Sequence, residues 1–503
     1  IIGTLGGAVF LLLGIHIPQP VDKAITDISK ISTPLALMLL GGASAVYVCN
    51  VFSVALNIGA ALSMYVAAKR LFEKRWAATG ASILYTLASY RVVNVFTRIA
   101  FGEALAMVFL PLFLVNLYDV VCGDARRWKG LALSAACIFC SHMITTLFCA
   151  VLAAGFCLLQ IILQKRLLPL VKAVLVCLLL CLYRIGPFVM YSMQGLGADD
   201  LFRNITEFSV ELGQVLLMNA GTITRETNNP QIMEFSVEIG LPLMIGAALA
   251  LYAALQKEER GKSEWAALKL VAGGALMTIA ATDFFPWGAV SLLTQGQVGY
   301  IQFTWRLLIL ATPMLALAGG YGLCEFGGKR QDAAAVAALS MAVICVMPIF
   351  SSEIQNPIYV EKGVIISPFM GRSFPEYTYS DTTDFLAIRK RSVEIDGDAE
   401  MADYEKRSTT ITAQVSARAE SRITFPLFDY DGFRATVDGR EIAVERGSNN
   451  RVSVVLPAGT SGALKIWFAG KGWWRVGDAV SAATLIGLLF WMKKGEKKAC
   501  RTH

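Results

Sequence analysis

Two short stretches concentrate the groups able to do chemistry. The first, from Ser89 to Glu103, carries Arg91, Asn94, Arg98 and Glu103 between two apolar runs. The second, Gln302-Phe303-Thr304-Trp305-Arg306, opens another apolar run. A guanidinium is a planar fork of donors that matches phosphate oxygens. Arginines at a membrane rim therefore suit a lipid-linked phosphate, and Glu103 beside them would position a sugar or a divalent ion. The competing readings are a rim ion pair between Arg98 and Glu103, and plain interfacial anchoring by Trp305 and Arg306.

Other ionisable residues join this set. Arg184 lies late in an apolar run, before Gly186 and Pro187, where it would bind an anion or reach to the outer surface. Asp22 and Asp27 sit in a short loop, 18–33, and either would serve as a general base that deprotonates an acceptor hydroxyl. A solvated loop is the bland alternative. His142 falls at a break between apolar runs and reads as a cap or hydrogen-bonding group. Asp283 reads as a helix-end cap or a site carboxylate.

Several signals fail. Gly261-Lys262-Ser263 resembles the end of a phosphate-binding loop, but Gln256 stands where the upstream glycine must be. The three histidines, His16, His142 and His503, are widely separated, so no metal ligand is assigned. Asn204-Ile205-Thr206 is a glycosylation sequon only in a eukaryotic host. Cys137 and Cys140 form a CxxC inside an apolar run with no second pair, which reads as packing. The segment 351–474 holds none of the eleven cysteines, so it is not a disulfide scaffold.

These candidates need elements to hold them, and composition says which. The chain is 55% hydrophobic and 17% charged, with mean hydropathy +0.55. A soluble domain carries about 25% charged residues. The formal charge of +7 comes from clusters at the ends of apolar runs, which is the positive-inside pattern rather than a nucleic-acid stripe. Those clusters are Lys69/Arg70/Lys74/Arg75, Arg126/Arg127/Lys129, Lys165/Arg166, Lys257/Arg260/Lys262, Lys329/Arg330 and Lys493/Lys494/Lys497/Lys498.

Apolar runs of about 20 residues span a bilayer as helices. The runs 1–17, 50–68, 77–90, 103–121, 167–190, 238–256, 265–285, 306–326, 332–350 and 475–492 fit this role. The stretch 130–163 is too long for one crossing and predicts a hairpin that breaks near Ser141 and His142. The total is about twelve crossings. The run 1–17 lacks a basic leader and reads as a helix rather than a signal peptide. Every basic cluster then falls on one side. The loops 18–33, 91–102, 191–237 and 286–305 and the segment 351–474 fall on the other. The apolar stretch 34–48 predicts a re-entrant piece.

The segment 351–474 alternates polar and apolar residues over 409–415, 433–437, 442–444, 452–456 and 463–468. Turn residues separate these runs, notably Asp431-Gly432, Asp438-Gly439 and Pro457-Ala458-Gly459. The pattern predicts an antiparallel β-sandwich. The organisation is thus a polytopic helical domain over 1–350, an extracytoplasmic β-sandwich over 351–474, a last transmembrane helix over 475–493 and a cytoplasmic basic tail over 494–503.

The residues Lys69-Arg70-Leu71-Phe72, Leu84 to Arg91, Arg98 to Glu103, Leu110-Pro111-Leu112, Ser141-His142, Phe285-Pro286-Trp287 and Gln302 to Arg306 resemble the bacterial YfhO-like membrane proteins. Some of these are labelled 6-pyruvoyl-tetrahydropterin-synthase-related. Gly432 to Gly439, followed by Leu456-Pro457-Ala458-Gly459, is similar to the external β domain of that family. The resemblance spans roughly 34–493. It departs in two places: Thr304 replaces the proline of a Gln-Phe-Pro-Trp-Arg pattern, and loop 18–33 lacks the family's acidic, histidine-containing motif. The pterin label names a soluble zinc enzyme whose histidine motif this chain does not show.

The family is similar in architecture to the GT-C glycosyltransferases. The resemblance implies transfer of a sugar from a polyprenyl-phosphate donor to a cell-envelope glycopolymer or lipid acceptor. The site would lie on the outer face of the bacterial cytoplasmic membrane. Asp22 or Asp27 would be the base. Arg91, Arg98, Arg184, Gln302, Trp305 and Arg306 would bind the donor, with Glu103 on the sugar or a divalent cation. The alternative is a non-catalytic scaffold, or a transporter, whose β domain binds an envelope polymer or partner protein.

Overall fold

The computed structural model describes residues 45–163, 167–194, 204–207, 209–216, 237–355, 379, 381–383, 392–407 and 409–499. The helices in chain order are α1 Ala45–Phe72, α2 Arg75–Thr86, α3 Ser89–Val92, α4 Phe101–Cys122, α5 Trp128–Ser141, α6 Met143–Ile162, α7 Leu168–Met193, α8 Leu212–Leu216, α9 Leu241–Leu255, α10 Lys262–Ala280, α11 Trp287–Leu293, α12 Leu308–Gly327, α13 Gln331–Gln355 and α14 Trp474–Ala499. Among the described residues seven helical stretches are long and apolar enough to span a membrane. They are Tyr47–Phe72, Phe101–Cys122, Met143–Ile162, Leu168–Met193, Thr304–Gly327, Gln331–Ile349 and Trp474–Lys493.

The shortfall from about twelve crossings has a structural reason. The runs 77–90, 130–141, 238–256 and 265–285 became α2, α5, α9 and α10, which are 12, 14, 15 and 19 residues long. The first three are short for a bilayer helix, and α10 carries Lys262, Glu264 and Lys269. The run 1–17 and the stretch 34–44 lie outside the described residues. The hairpin formed as its length required: α5 stops at Ser141, α6 starts at Met143, and Gln160 near the end of α6 donates to Val121 O at the end of α4 (3.3 Å).

The bundle is built around α12, whose membrane-length window is fully buried. It packs on α2, α9 and α10, and small residues let it do so. A Cβ on Gly320 would lie 2.3 Å from Ala77 O, and one on Gly322 would lie 2.4 Å from Ala250 N. In an apolar medium such close backbone packing is a main source of helix association.

One end of the bundle collects the basic clusters by direct contact. Glu325 at the end of α12 accepts from Lys74 and, at 3.3 Å, from Lys257. Arg70 closes on Asp119 (2.7 Å) and Asn116 (2.8 Å). Trp128, beside the 126–129 cluster, packs edge-on against Trp491 of α14 (5.4 Å). The helix α14 continues to Ala499, past the predicted end at 493, because the lysine-rich tail is made of good helix formers.

At the opposite end sits a region of nine strands: β1 Glu394–Asp396, β2 Ala399–Arg407, β3 Thr410–Ala417, β4 Ser421–Phe428, β5 Phe433–Val437, β6 Arg440–Ile442, β7 Val444–Arg446, β8 Arg451–Leu456 and β9 Ser461–Phe468. They form two antiparallel sheets, β1-β4-β8-β7 and β2-β3-β9-β5-β6. Inward residues of both, among them Ile411, Val415, Phe425, Val454 and Ile466, share one apolar core. The Asp438-Gly439 turn has φ +45° and +78° and joins Val437 to Arg440, a two-residue hairpin that needs both residues left-handed. The sheets meet the bundle where Tyr191 of α7 donates to Asp431 O (3.3 Å) and packs on Trp474 (5.9 Å).

Candidate functional site

The chain between α2 and α4 is built irregularly. After α3 it forms a π-helical turn, Val93–Thr97, in which Arg98 N donates to Val93 O (2.8 Å). Ile99 then takes φ +50°, a left-handed conformation that a β-branched residue adopts only against a steric cost. On the facing segment Gln302 takes φ +69° between two 3₁₀ turns, Gln297–Ile301 and Thr304–Leu307. Backbone held in such regions clusters at functional sites. Each of these residues sits beside one of the singled-out arginines.

Between them lies Glu103, in the first turn of α4 and 2% exposed. Its Oε1 accepts from Tyr90 OH (2.5 Å) and Asn94 Nδ2 (3.1 Å), and its Oε2 accepts from Arg98 Nη1 (3.1 Å). Arg98 also donates to Asn94 Oδ1. The Arg98 guanidinium lies over the Trp305 ring (4.5 Å), and Trp305 stacks on Phe303 (5.2 Å). Such a cation–π contact favours a fixed guanidinium at about 0.5–2 kcal/mol.

Arg306 completes the cluster. Its Nη1 donates to Gln302 Oε1 and Ile301 O (3.3 Å), and its guanidinium lies over Phe303 (5.2 Å). Arg98, Arg306 and His142 all interact electrostatically with Glu103. Nε of Arg306 is buried and has no hydrogen-bond partner among the described residues. Within the cluster two guanidiniums face one carboxylate. Exposed apolar side chains flank the cluster along the chain, namely Phe96, Ile99, Met143 and Tyr300.

The structure thus brings Arg98, Glu103, Gln302, Trp305 and Arg306 together. It places two other arginines elsewhere. Arg91 is fully buried and donates to Asn57 Oδ1 (2.6 Å), Thr86 O (3.2 Å) and Leu56 O (2.9 Å), tying α1 to the end of α2. Arg184 donates to Cys140 O, on the α7 side of α5. Asp22 and Asp27 lie outside the described residues. His142 Nδ1 accepts from Thr145 N (3.3 Å) and caps α6. Asp283 is exposed just past α10. Thr304 donates to Ala281 O (2.6 Å).

Sequence reasoning missed Tyr90, which shares Glu103 with Asn94. The signal was present, since a tyrosine hydroxyl at the end of a buried apolar run needs an acceptor. Among the described residues no group of three or more His, Cys, Asp or Glu side chains assembles as metal ligands would.

Comparison with family models, with characterised proteins and with solved structures finds no match for this chain.

Proposed function

We propose that the end of the bundle carrying Arg98 and Arg306 binds the phosphate of a membrane lipid, and that the chain is a glycosyltransferase using a polyprenyl-phosphate-linked sugar. The observation that carries the first half is the buried, unpartnered Nε of Arg306 beside a second arginine fixed by Glu103 and Trp305. A buried donor without an acceptor costs about 1–3 kcal/mol, which an arriving phosphate oxygen would recover. The flanking exposed apolar residues suit a lipid tail. The second half rests on the resemblance to YfhO-like and GT-C proteins.

In this reading Arg98 and Arg306 hold the donor phosphate and stabilise charge that grows on it as the sugar leaves. Glu103 is a positioning residue, since both its oxygens are occupied by Tyr90, Asn94 and Arg98. The acceptor hydroxyl gives its proton to Asp22 or Asp27 and attacks the anomeric carbon from the face opposite the phosphate. The configuration inverts in this single displacement. The mechanism routes no step through a divalent cation. The basic clusters mark the cytoplasmic end of the bundle in a bacterial cytoplasmic membrane, which puts the arginine cluster and the sheets outside.

The saturation of Glu103 also favours a second reading, in which the cluster is a structural knot of a scaffold or transporter whose sheets hold an envelope polymer. Purified full-length chain given labelled polyprenyl-phosphate sugars and cell-envelope acceptors separates the two. Sugar transfer that falls at least tenfold in Arg306→Ala supports the transferase. Absence of turnover, together with unchanged lipid-phosphate binding in Arg306→Ala, overturns it.

A further inference from the structure

The CxxC of α5 does have a second pair, supplied by a neighbouring helix. Cys137 and Cys140 are three residues apart on α5, and Cys177 and Cys181 are four apart on α7, so each pair lies on one helix face. The two helices pack directly. The side chains of Cys140 and Cys181 are in mutual hydrogen-bonding reach, Cys181 also reaches Cys177, and Cys137 interacts with both Cys140 and Cys177. The thiols meet in pairs, without the shared centre of a metal site.

Within the group Cys140 is set apart. Tyr183 OH donates to its sulfur (3.3 Å) and the Arg184 guanidinium donates to its carbonyl. Negative charge on that sulfur therefore has a donor and a cation beside it, the surroundings of a reactive cysteine. Cys140 is half-buried and is the next-to-last residue of α5, whereas Cys181 is 1% exposed. Of the two, Cys140 is the nearer to the end of its helix and the less buried residue, so it is the one that meets an oxidant first.

We propose that Cys140 and Cys181 form an inter-helix disulfide when the protein meets a disulfide-bearing oxidant. The Cys140 thiolate attacks a sulfur of the oxidant, and the other oxidant sulfur leaves as a thiolate. Cys181 then attacks the Cys140 sulfur of the mixed disulfide and expels the second oxidant sulfur. Two protein thiols are oxidised, one small disulfide is reduced to two thiols, and the two protons released by the cysteines end on those thiols. An S–S bond of about 2.05 Å needs Cβ atoms about 3.5–4.5 Å apart, and the packed faces of α5 and α7, where Cys181 Sγ already donates to Ala136 O one turn before Cys140 (3.8 Å), present the two cysteines to each other.

The bond has a place in the architecture. Cys140 precedes Ser141 and His142, and Ser141 O lies 2.9 Å from where a Cβ on Gly102 would stand, next to Glu103. Further along, α7 meets the sheets at Tyr191 and Asp431. The disulfide would staple the turn beside the arginine cluster to the helix that carries the sheet region. This inference does not depend on sugar transfer.

Full-length protein in detergent is incubated with oxidised glutathione, quenched in acid, denatured and labelled with a mass-tagged maleimide. With Cys122→Ser and Cys500→Ser in the background, which removes the exposed thiol at the end of α4 and the tail thiol, the oxidised protein is expected to take up two fewer tags than the reduced protein, and reductant should restore them. Fragmentation of the linked peptides should place the bond at Cys140 and Cys181. Cys181→Ser is expected to trap glutathione on Cys140 and lose one tag, and Cys140→Ser to lose none. Equal labelling of the oxidised and reduced background protein, or a bond mapped to another pair, overturns the proposal without the Cys140 and Cys181 variants.

Discussion

The two ends of the helical bundle both hold arginines and carboxylates, and they use them differently. At the basic end the charges are numerous, partly exposed and paired across helices: Lys74 and Lys257 share Glu325, and Arg70 takes Asp119. At the other end the cluster of described charges is small and deeply set, with Arg98 and Arg306 around Glu103. Exposed pairs gain little because water competes for each partner. Buried charges must be fully matched or must await a ligand. The same residue types therefore act as anchors at one end and form a candidate site at the other.

Substitutions sharpen that contrast, beginning with the carboxylate. Glu103→Ala strips Arg98, Tyr90 and Asn94 of their acceptor and should cost about 3–5 kcal/mol of stability. Chemical denaturation in detergent measures it, and a loss under about 1 kcal/mol would erase the distinction between the ends. Arg91→Ala takes the guanidinium donor from Asn57 Oδ1 and Thr86 O and from the second lone pair of Leu56 O, for about 2–3 kcal/mol. The folded fraction of that variant should bind lipid phosphate as the wild type does, and weaker binding would return Arg91 to the site.

Arg306→Ala should do the reverse. It removes a guanidinium with an unmatched N–H, so stability should change by less than about 1 kcal/mol. Binding of a polyprenyl phosphate in vesicles should weaken about tenfold, equivalent to about 1.4 kcal/mol. At the basic end Lys257→Gln should cost less than about 1 kcal/mol, and high salt should hide even that.

The smallest effect concerns the sheets. Asp429 is pushed above the ordinary value of 3.8, first by burial, with Arg446 opposing and Asp431 adding to the rise. The folded state thus holds this proton more tightly than the unfolded chain. Its stabilising contribution is complete below pH 3.8 and fades as pH climbs through the raised value. Between pH 3.8 and the raised value the thermal midpoint of Asp429→Asn should therefore slope less with pH than that of the wild type. Identical slopes would show that Arg446 compensates fully.

Much of the architecture was legible in the chain. The spacing of the basic clusters foretold that they share one end, and contacts such as Lys74–Glu325–Lys257 bear that out for the described clusters. The length of 130–163 foretold the break at His142. The predicted run 442–444 is divided, with Ile442 ending β6 in one sheet and Val444 opening β7 in the other, and strands β1, β2 and β4 were missed for identifiable reasons. β1 is three residues long, β2 is a charged edge strand with Asp403 at φ +53°, and β4 carries Pro426 where the register shifts. In the candidate site, sequence named Arg98, Glu103, Gln302, Trp305 and Arg306 as a rim set. It had no means of telling Arg91 from Arg98, because seven residues through a helix and a π-turn decide which faces the core. Nor did it register Cys177 and Cys181 against Cys137 and Cys140, since which helix stands beside α5 is a tertiary fact.

That π-turn has a consequence for the angular phase of the chain. An α-helix advances about 100° per residue, and the widened turn at Val93–Thr97 holds one residue more than an α-turn would. Deleting any one of those five would swing everything downstream by more than a quarter of a revolution. Arg98 and Glu103 would then turn together away from Tyr90, which precedes the turn, while the composition of the segment hardly changed.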